Sequence, residues 1–271
     1  MVDADKIQFR EDTIRILEGF RLLDDDFMTV VFEENIEATQ LLLNIILERD
    51  DMEVISVEIQ KEEHNPIVGG RSITLDIFAK DSDGKVYDIE IQRQDEGADV
   101  HRARFHSSII DSRMLKEKQK FKEIRDSYVI FVTENDVMKM SLPIYHVERV
   151  VQESSALFGD GSHIIYVNGA YKNDASPIGK LMHDFRCTSA SDMFYPELAK
   201  SVRYFKETKG GRAKMCKAIE DMRDKDRQET RIETIFNNIK GLMESMKWTA
   251  DQAMNAMQIS DSDRAILVKR F

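Results

Sequence analysis

Two short segments of alternating hydropathy, joined by Asp81-Ser82-Asp83-Gly84, constrain the fold of this chain more than any other stretch. The first sets Ile73, Leu75 and Ile77 against Thr74, Asp76 and Phe78. The second sets Tyr87, Ile89 and Ile91 against Asp88, Glu90 and Gln92. A period of two predicts strands, and Asp-Gly in a short connection predicts a hairpin. A three-residue loop with Gly84 in the left-handed position would pair Asp81 with Lys85 and set Asp76 opposite Glu90. Residues facing one another across such a pair have Cβ atoms about 4.5–5.5 Å apart. Two carboxylates that close repel, and neither is easily kept ionised unless a cation lies between them. Gln92 shares the face of Glu90 because strand side chains alternate. A polar strand face turned to water would show the same alternation, so the spacing alone leaves both readings open.

The hairpin and its surroundings resemble the active-site core of the PD-(D/E)XK nuclease superfamily. The similar branch is the PD-(D/E)XK nuclease family transposases, related to the Rpn recombination-promoting nucleases. The matching stretches include Arg71-Ser72-Ile73-Thr74-Leu75-Asp76-Ile77, Tyr87-Asp88-Ile89-Glu90-Ile91-Gln92-Arg93 and His101-Arg102-Ala103-Arg104-Phe105-His106-Ser107. Further stretches are Tyr128-Val129-Ile130-Phe131-Val132-Thr133-Glu134-Asn135-Asp136, Leu142-Pro143-Ile144-Tyr145 and Gly159-Asp160-Gly161-Ser162-His163-Ile164-Ile165-Tyr166-Val167-Asn168-Gly169. The similarity runs from about Asp24 to Lys209.

The resemblance implies an α/β fold: a restriction-endonuclease-like core, with a mixed central sheet flanked by helices, followed by an α-helical C-terminal tail. It implies a divalent-metal-dependent DNA endonuclease linked to mobile elements or recombination, with Mg²⁺ or Mn²⁺ as cofactor and DNA as partner. Asp76 and Glu90 map to the family's acidic pair, and the Ile91 carbonyl to a further metal ligand. Gln92 stands at the superfamily's lysine position. It can orient a water but cannot supply the lysine's charge. Arg102 matches the family's basic position and is the expected phosphate contact, with a salt bridge to the acidic N-terminal helix as the other reading. Glu33, Glu34 and Glu37 are candidates for a helix acid completing the site, and Asp25 for a cap. The alternative function is a noncatalytic DNA-binding or assembly protein on the same scaffold.

Charge decides where nucleic acid would lie. The formal net charge is −11, yet residues 1–60 hold 16 acidic against 5 basic side chains, the whole imbalance. Residues 101–125 hold 8 Lys and Arg against Asp111, Glu117 and Glu123. Phosphate contacts are expected there, from Arg102 and Lys116, although a solvated helix face would carry the same charges. Cys187 and Cys216 lie far apart and form no metal-ligand or disulfide pattern, which fits a reducing cytoplasm. No secretory signal is read at the charged N-terminus, and no apolar run nears the ~18 residues of a membrane span. His64, His101 and His106 lack the spacing of a metal pair and read as surface or packing residues.

Along the 271 residues three parts are expected. Residues 1–23 form an N-terminal arm, 24–209 the nuclease-like domain and 210–271 a helical tail. Within the core the pattern predicts a helix over 27–48, a strand over 53–60, the hairpin, a long helix over 99–124, and strands over 127–133 and 163–167. Helices follow over 178–185 and 192–206. Gly210-Gly211 marks the clearest break. In the tail Ile232, Ile235, Phe236, Ile239, Leu242, Met243 and Met246 share one helical face, and Thr249 and Ser260 begin short capped helices. Such helices read DNA, dock on a core or pair with a second subunit, so a homodimer through them is one expectation.

Overall fold

A computed structural model of the chain describes residues 14–271 apart from 66, 68, 69 and 94. The start of the predicted arm, and most of the turn expected over residues 66–70, lie outside the described residues. The rest of the arm packs inward: Leu17, Leu22 and Leu23 are all buried.

The sheet is built on the predicted hairpin. Strand β2 (Ile73–Asp81) pairs with β3 (Val86–Gln92), Ile77 opposite Ile89 and Phe78 opposite Asp88. Asp81 donates its amide to the Lys85 carbonyl at 3.1 Å, and Gly84 has φ 83°, the left-handed conformation that a glycine tolerates. β1 (Val54–Glu63) flanks β2 antiparallel. β4 (Ser127–Thr133) joins β3 in parallel through helix α3 (Val100–Met114), and so α3 lies across the sheet. Helices α1 (Asp25–Phe32) and α2 (Ile36–Ile46) lie between the N-terminal residues and the sheet. Beyond β4 come β5 (Ile144–Val147), the two-residue strands β6 (Val150–Val151) and β7 (Ala156–Leu157), and β8 (Ser162–Asn168). The six-stranded sheet has the order β1-β2-β3-β4-β8-β5, with β8 parallel to β4 and β5 antiparallel to β8. The hairpin therefore hands over to a parallel half at its second strand. Helices α4 (Pro177–Arg186) and α5 (Pro196–Glu207) follow.

Three expectations change. The helix predicted over 27–48 is two helices: Glu34 takes φ 52°, and Asn35 restarts the second by accepting the Ala38 amide at 3.1 Å. The long helix over 99–124 stops at Met114. Beyond it Lys118 has φ 73°, Phe121 is 91% exposed, and a charged segment with no apolar stripe to bury runs on as loop, broken only by a 3₁₀ turn at Phe121–Glu123. Lys116 thus sits on this loop, not on the helix. Lastly, Gly210-Gly211 does not break the chain. Thr208 does, and its hydroxyl accepts the Gly211 amide at 3.0 Å at the start of helix α6 (Lys209–Met246).

The chain divides into two compact units, the first ending at Cys216 and the second running Lys217–Phe271. The second holds the rest of α6 with α7 (Ala250–Ala256) and α8 (Asp261–Leu267). Its own core is Ile232, Ile239, Ala253, Met254 and Leu267, with Ile235, Phe236, Leu242 and Met243 against it. Met246 is 54% exposed and ends that stripe. Thr249 and Gln252 form a reciprocal capping box, and Ser260 caps α8. Among the described residues no helix is long and apolar enough to cross a membrane.

Candidate active site

Asp88 and Glu90 share a face of β3, and Arg102 and His106, four residues apart, share a face of α3. Because α3 crosses this sheet face, all four meet. Asp88 and Glu90 are fully buried, and His106 is 2% exposed. The polar side of β3 is thus an interior, while on β2 Asp76 is half-buried and Thr74 exposed.

The backbone ladder between β2 and β3 ends at Ile77 and Ile89, and side chains bond across the strands beyond it. Glu90 Oε1 accepts the Asp76 amide at 3.2 Å, and Asp76 Oδ2 accepts the Ile91 amide at 3.1 Å. A residue's N–H and C=O point to the same side of an extended strand, so the Ile91 carbonyl faces Asp76 as well. The neighbouring Gln92 carbonyl accepts the Glu134 amide on the other side. Gln92 Nε2 reaches Glu90 Oε2 at 3.5 Å, and its Oε1 lies where a Cβ on Gly97 would come within 2.0 Å. Only glycine admits the Gln92 amide there. Gln60 Nε2 approaches Asp76 Oδ1 at 3.4 Å from β1.

Arg102 is anchored three ways: to Glu90 Oε2 at 2.6 Å, to the Gly97 carbonyl at 3.1 Å and to His106 Nε2 at 3.3 Å. A guanidinium only donates, so His106 Nε2 accepts and the ring proton is on Nδ1. That proton is directed at Asp88 Oδ2, 2.9 Å away. Asp88, Glu90 and His106 offer ligand atoms within 4.8 Å of one another. The tautomer set by Arg102 makes His106 a hydrogen-bond link here rather than a ligand. Asp88 Oδ1 is buried with no partner among the described residues.

Burial first, then the charges of Glu90 and Asp25, push the Asp76 carboxyl well above its ordinary range. Burial and then Asp76 do the same to Asp88, and burial with Asp88 pushes Glu90 up to about 8. Burial holds the His106 ring below its ordinary value, which favours the neutral imidazole. One guanidinium faces three carboxyls, so the cluster strongly favours a further positive charge, whether proton or metal ion.

Among the helix acids, Asp25 is the one whose charge acts on Asp76. Glu33 pairs with Lys214 at 2.9 Å and Glu37 with Lys200 at 2.7 Å, while Glu34 occupies the turn between helices. Asp24 is the N-cap residue of α1, but its carboxylate bonds Arg93 at 2.8 Å and the Arg21 amide at 2.7 Å instead of capping. Arg21 and Arg93 also bind Glu134, which ties the entry to α1 to the ends of β3 and β4.

A cleft of about 1000 Å³ opens beside this cluster, lined by Arg71 and Thr74 with Asp76 on one side and by Arg102, Arg104 and Ser108 of α3 on the other. Lys116 is exposed and outside that lining. His64 and His101 are exposed as expected, but His106 is central. Its signal was its position four residues after Arg102, just as Asp88 was marked by sharing the face of Glu90. Cys187 also has neighbours that spacing did not suggest: it lies within 4.8 Å of His183 and Asp184. Both Asp184 oxygens accept amides, of Phe194 and Tyr195, each at 2.8 Å, so that carboxylate closes a loop.

A mixed sheet with an acidic central hairpin, covered by a helix that brings a basic residue to it, defines a nuclease-like α/β protein. The chain belongs to the PD-(D/E)XK nuclease family transposases, whose family model matches residues 29–172. No curated protein and no solved structure matches it.

Proposed function

We propose that this chain is a divalent-metal-dependent DNA endonuclease that hydrolyses phosphodiester bonds in the service of mobile elements or recombination. The observation that carries the reading is the meeting of Asp76, Asp88 and Glu90, all with raised carboxyl pKa values, beside a single guanidinium. An all-oxygen set of carboxylates and a carbonyl suits a hard cation such as Mg²⁺ or Mn²⁺. Asp76, Glu90 and the Ile91 carbonyl would hold it. When bound, such a cation supplies charge to the phosphate and acidifies a water.

The chain's own groups do the rest. Gln92 is assigned to orient the attacking water through its amide, which Gly97 gives room to lie beside Glu90. His106 and Asp88 hold Arg102 in place. Arg102 is assigned to the scissile phosphate, since it already stands at the Glu90 carboxylate. Lys116, on the loop after α3, would meet phosphate further along the duplex. A homodimer contact through the helical tail is part of the same reading. A reducing cytoplasm is the setting that suits Cys187 and Cys216, which form no disulfide among the described residues.

The Arg102–Glu90 pair at 2.6 Å favours a second reading, in which the chain's own cation satisfies the site and the protein binds DNA without cutting it. Plasmid nicking with Mg²⁺, Mn²⁺ or EDTA, beside Asp76→Ala, separates the two. Metal-dependent nicking lost in the variant supports the nuclease. Binding without nicking, with both carboxylates intact, supports the second reading.

A further inference from the structure

Most cations around the cluster are engaged. Arg102 is held by Glu90, and Arg93 by Asp24 and Glu134. Arg71 and Arg104 are different. Both are exposed and both line the cleft, and neither guanidinium has an ion pair or hydrogen bond among the described residues. They come from separate elements, Arg71 from the residues leading into β2 and Arg104 from the second turn of α3. Asp76 lines the same cleft between them in the chain.

An unpaired guanidinium on each side of a cleft that ends at a carboxylate cluster needs explaining in a chain of net charge −11. Neither side chain stabilises a neighbour by pairing, and both place positive charge in the cleft that Asp76 lines. Thr74 lines the cleft with a hydroxyl that can donate to an anionic oxygen as well. The charge of Arg71 reaches the interior, where with burial and Arg102 it opposes protonation of His106.

Building on the nuclease reading, we infer that Arg71 and Arg104 form a two-sided clamp for the backbone phosphates of duplex DNA that flank the bond to be cut. The planar fork of a guanidinium binds phosphate oxygens in pairs, and it does so without regard to base sequence. The clamp fixes where the strand lies in the cleft. Arg102, turned inward to Glu90, is left for the reacting group.

The test is fluorescence anisotropy of the full chain with a short labelled duplex in EDTA, over a series of KCl concentrations. Wild type, Arg71→Ala/Arg104→Ala, Arg71→Lys/Arg104→Lys and Lys240→Ala/Lys247→Ala are compared, with circular dichroism to verify the fold. Each phosphate contact contributes about 0.9 to the log–log salt slope, so the alanine pair should flatten it by about 1.8 units. The lysine pair should restore most of the slope. The tail variant, which removes the same charge from exposed positions, should leave it unchanged. An alanine pair with the wild-type slope, or a tail variant that loses it, overturns the clamp. Nicking by wild type alongside that result leaves the nuclease reading standing. A wild type that neither nicks plasmid nor binds duplex overturns both.

Discussion

The Glu90 carboxylate accepts the backbone amide of Asp76 at 3.2 Å. The acidic pair is therefore coupled through the backbone as well as through space, and Asp76 returns the contact by accepting the amide of Ile91. Moving either side chain opens a backbone donor on the opposing strand.

Asp76→Asn should keep that scaffold, since an amide oxygen still accepts, while removing one of the repelling charges. Its expected outcome is loss of nicking by more than about 10²-fold, the scale of one lost electrostatic contact. The melting temperature in EDTA should be equal to or above wild type. Plasmid nicking and scanning calorimetry on the same preparation check both. A fall in melting temperature would show that ionised Asp76 stabilises the metal-free fold.

Gln92→Lys should hold or raise the rate, because it places a cation beside Glu90. Gln92→Ala should lower it by up to ~10³-fold. Gly97→Ala puts a methyl 2.0 Å from the present position of Gln92 Oε1 and should lower the rate by displacing that amide. In the Gln92→Ala background the Gly97 substitution should then add little. Single-turnover cleavage by the four proteins reads out this coupling.

His106→Ala should destabilise the protein by about 1–3 kcal/mol, since buried Asp88 already has one unpartnered oxygen and would lose the partner of the other. Adding Asp88→Leu should recover part of the loss by removing the orphaned acceptor. Urea unfolding followed by circular dichroism measures both.

The raised Glu90 carboxyl sets a pH dependence for the metal-free protein. Its pKa is about 8 when folded, against an ordinary carboxylate value near ~4.3, so the folded state binds the extra proton between those limits. The stability it contributes is complete below the unfolded value and is lost as pH rises through about 8. Melting temperature in EDTA should fall between pH 6 and pH 9, and Mn²⁺ should reduce that fall. A flat profile in EDTA would mean that Arg102 keeps Glu90 ionised throughout.

Burial pushes the Cys187 thiol up to about 11, and the thiolate is the reactive form. Iodoacetamide at pH 8 should label Cys187 roughly 10²-fold more slowly than an unperturbed thiol, which has a pKa near ~8.5. Peptide mass spectrometry over a time course gives the rate.

The hairpin was legible because two independent local signals agree there: a period of two on both sides and a glycine where the turn needs positive φ. The strand at Ser127–Thr133 was legible because a parallel strand buried on both faces is apolar throughout. The division of α1 from α2 was not. The helical period continues across Glu33-Glu34-Asn35, and only the backbone reveals that Glu34 leaves it. β5 escaped notice because it has four residues and buries only Tyr145 fully. In the candidate site, Asp76 and Glu90 could be paired from turn geometry alone. The contact of His106 with Asp88 depends on how α3 crosses β3, and no periodicity within either element encodes that.

The stretch from Asp76 to His106 holds the hairpin, a short 3₁₀ turn and the start of α3, and nearly every group in the cluster lies within it. The entropy of closing a loop grows slowly with its length, and here the loops are short. The acidic pocket is therefore a local assembly within a larger sheet, and its parts can meet before the distant strand β8 is in place. Drift elsewhere in the sequence can alter what the protein docks against while leaving this one segment able to rebuild the pocket each time the chain folds.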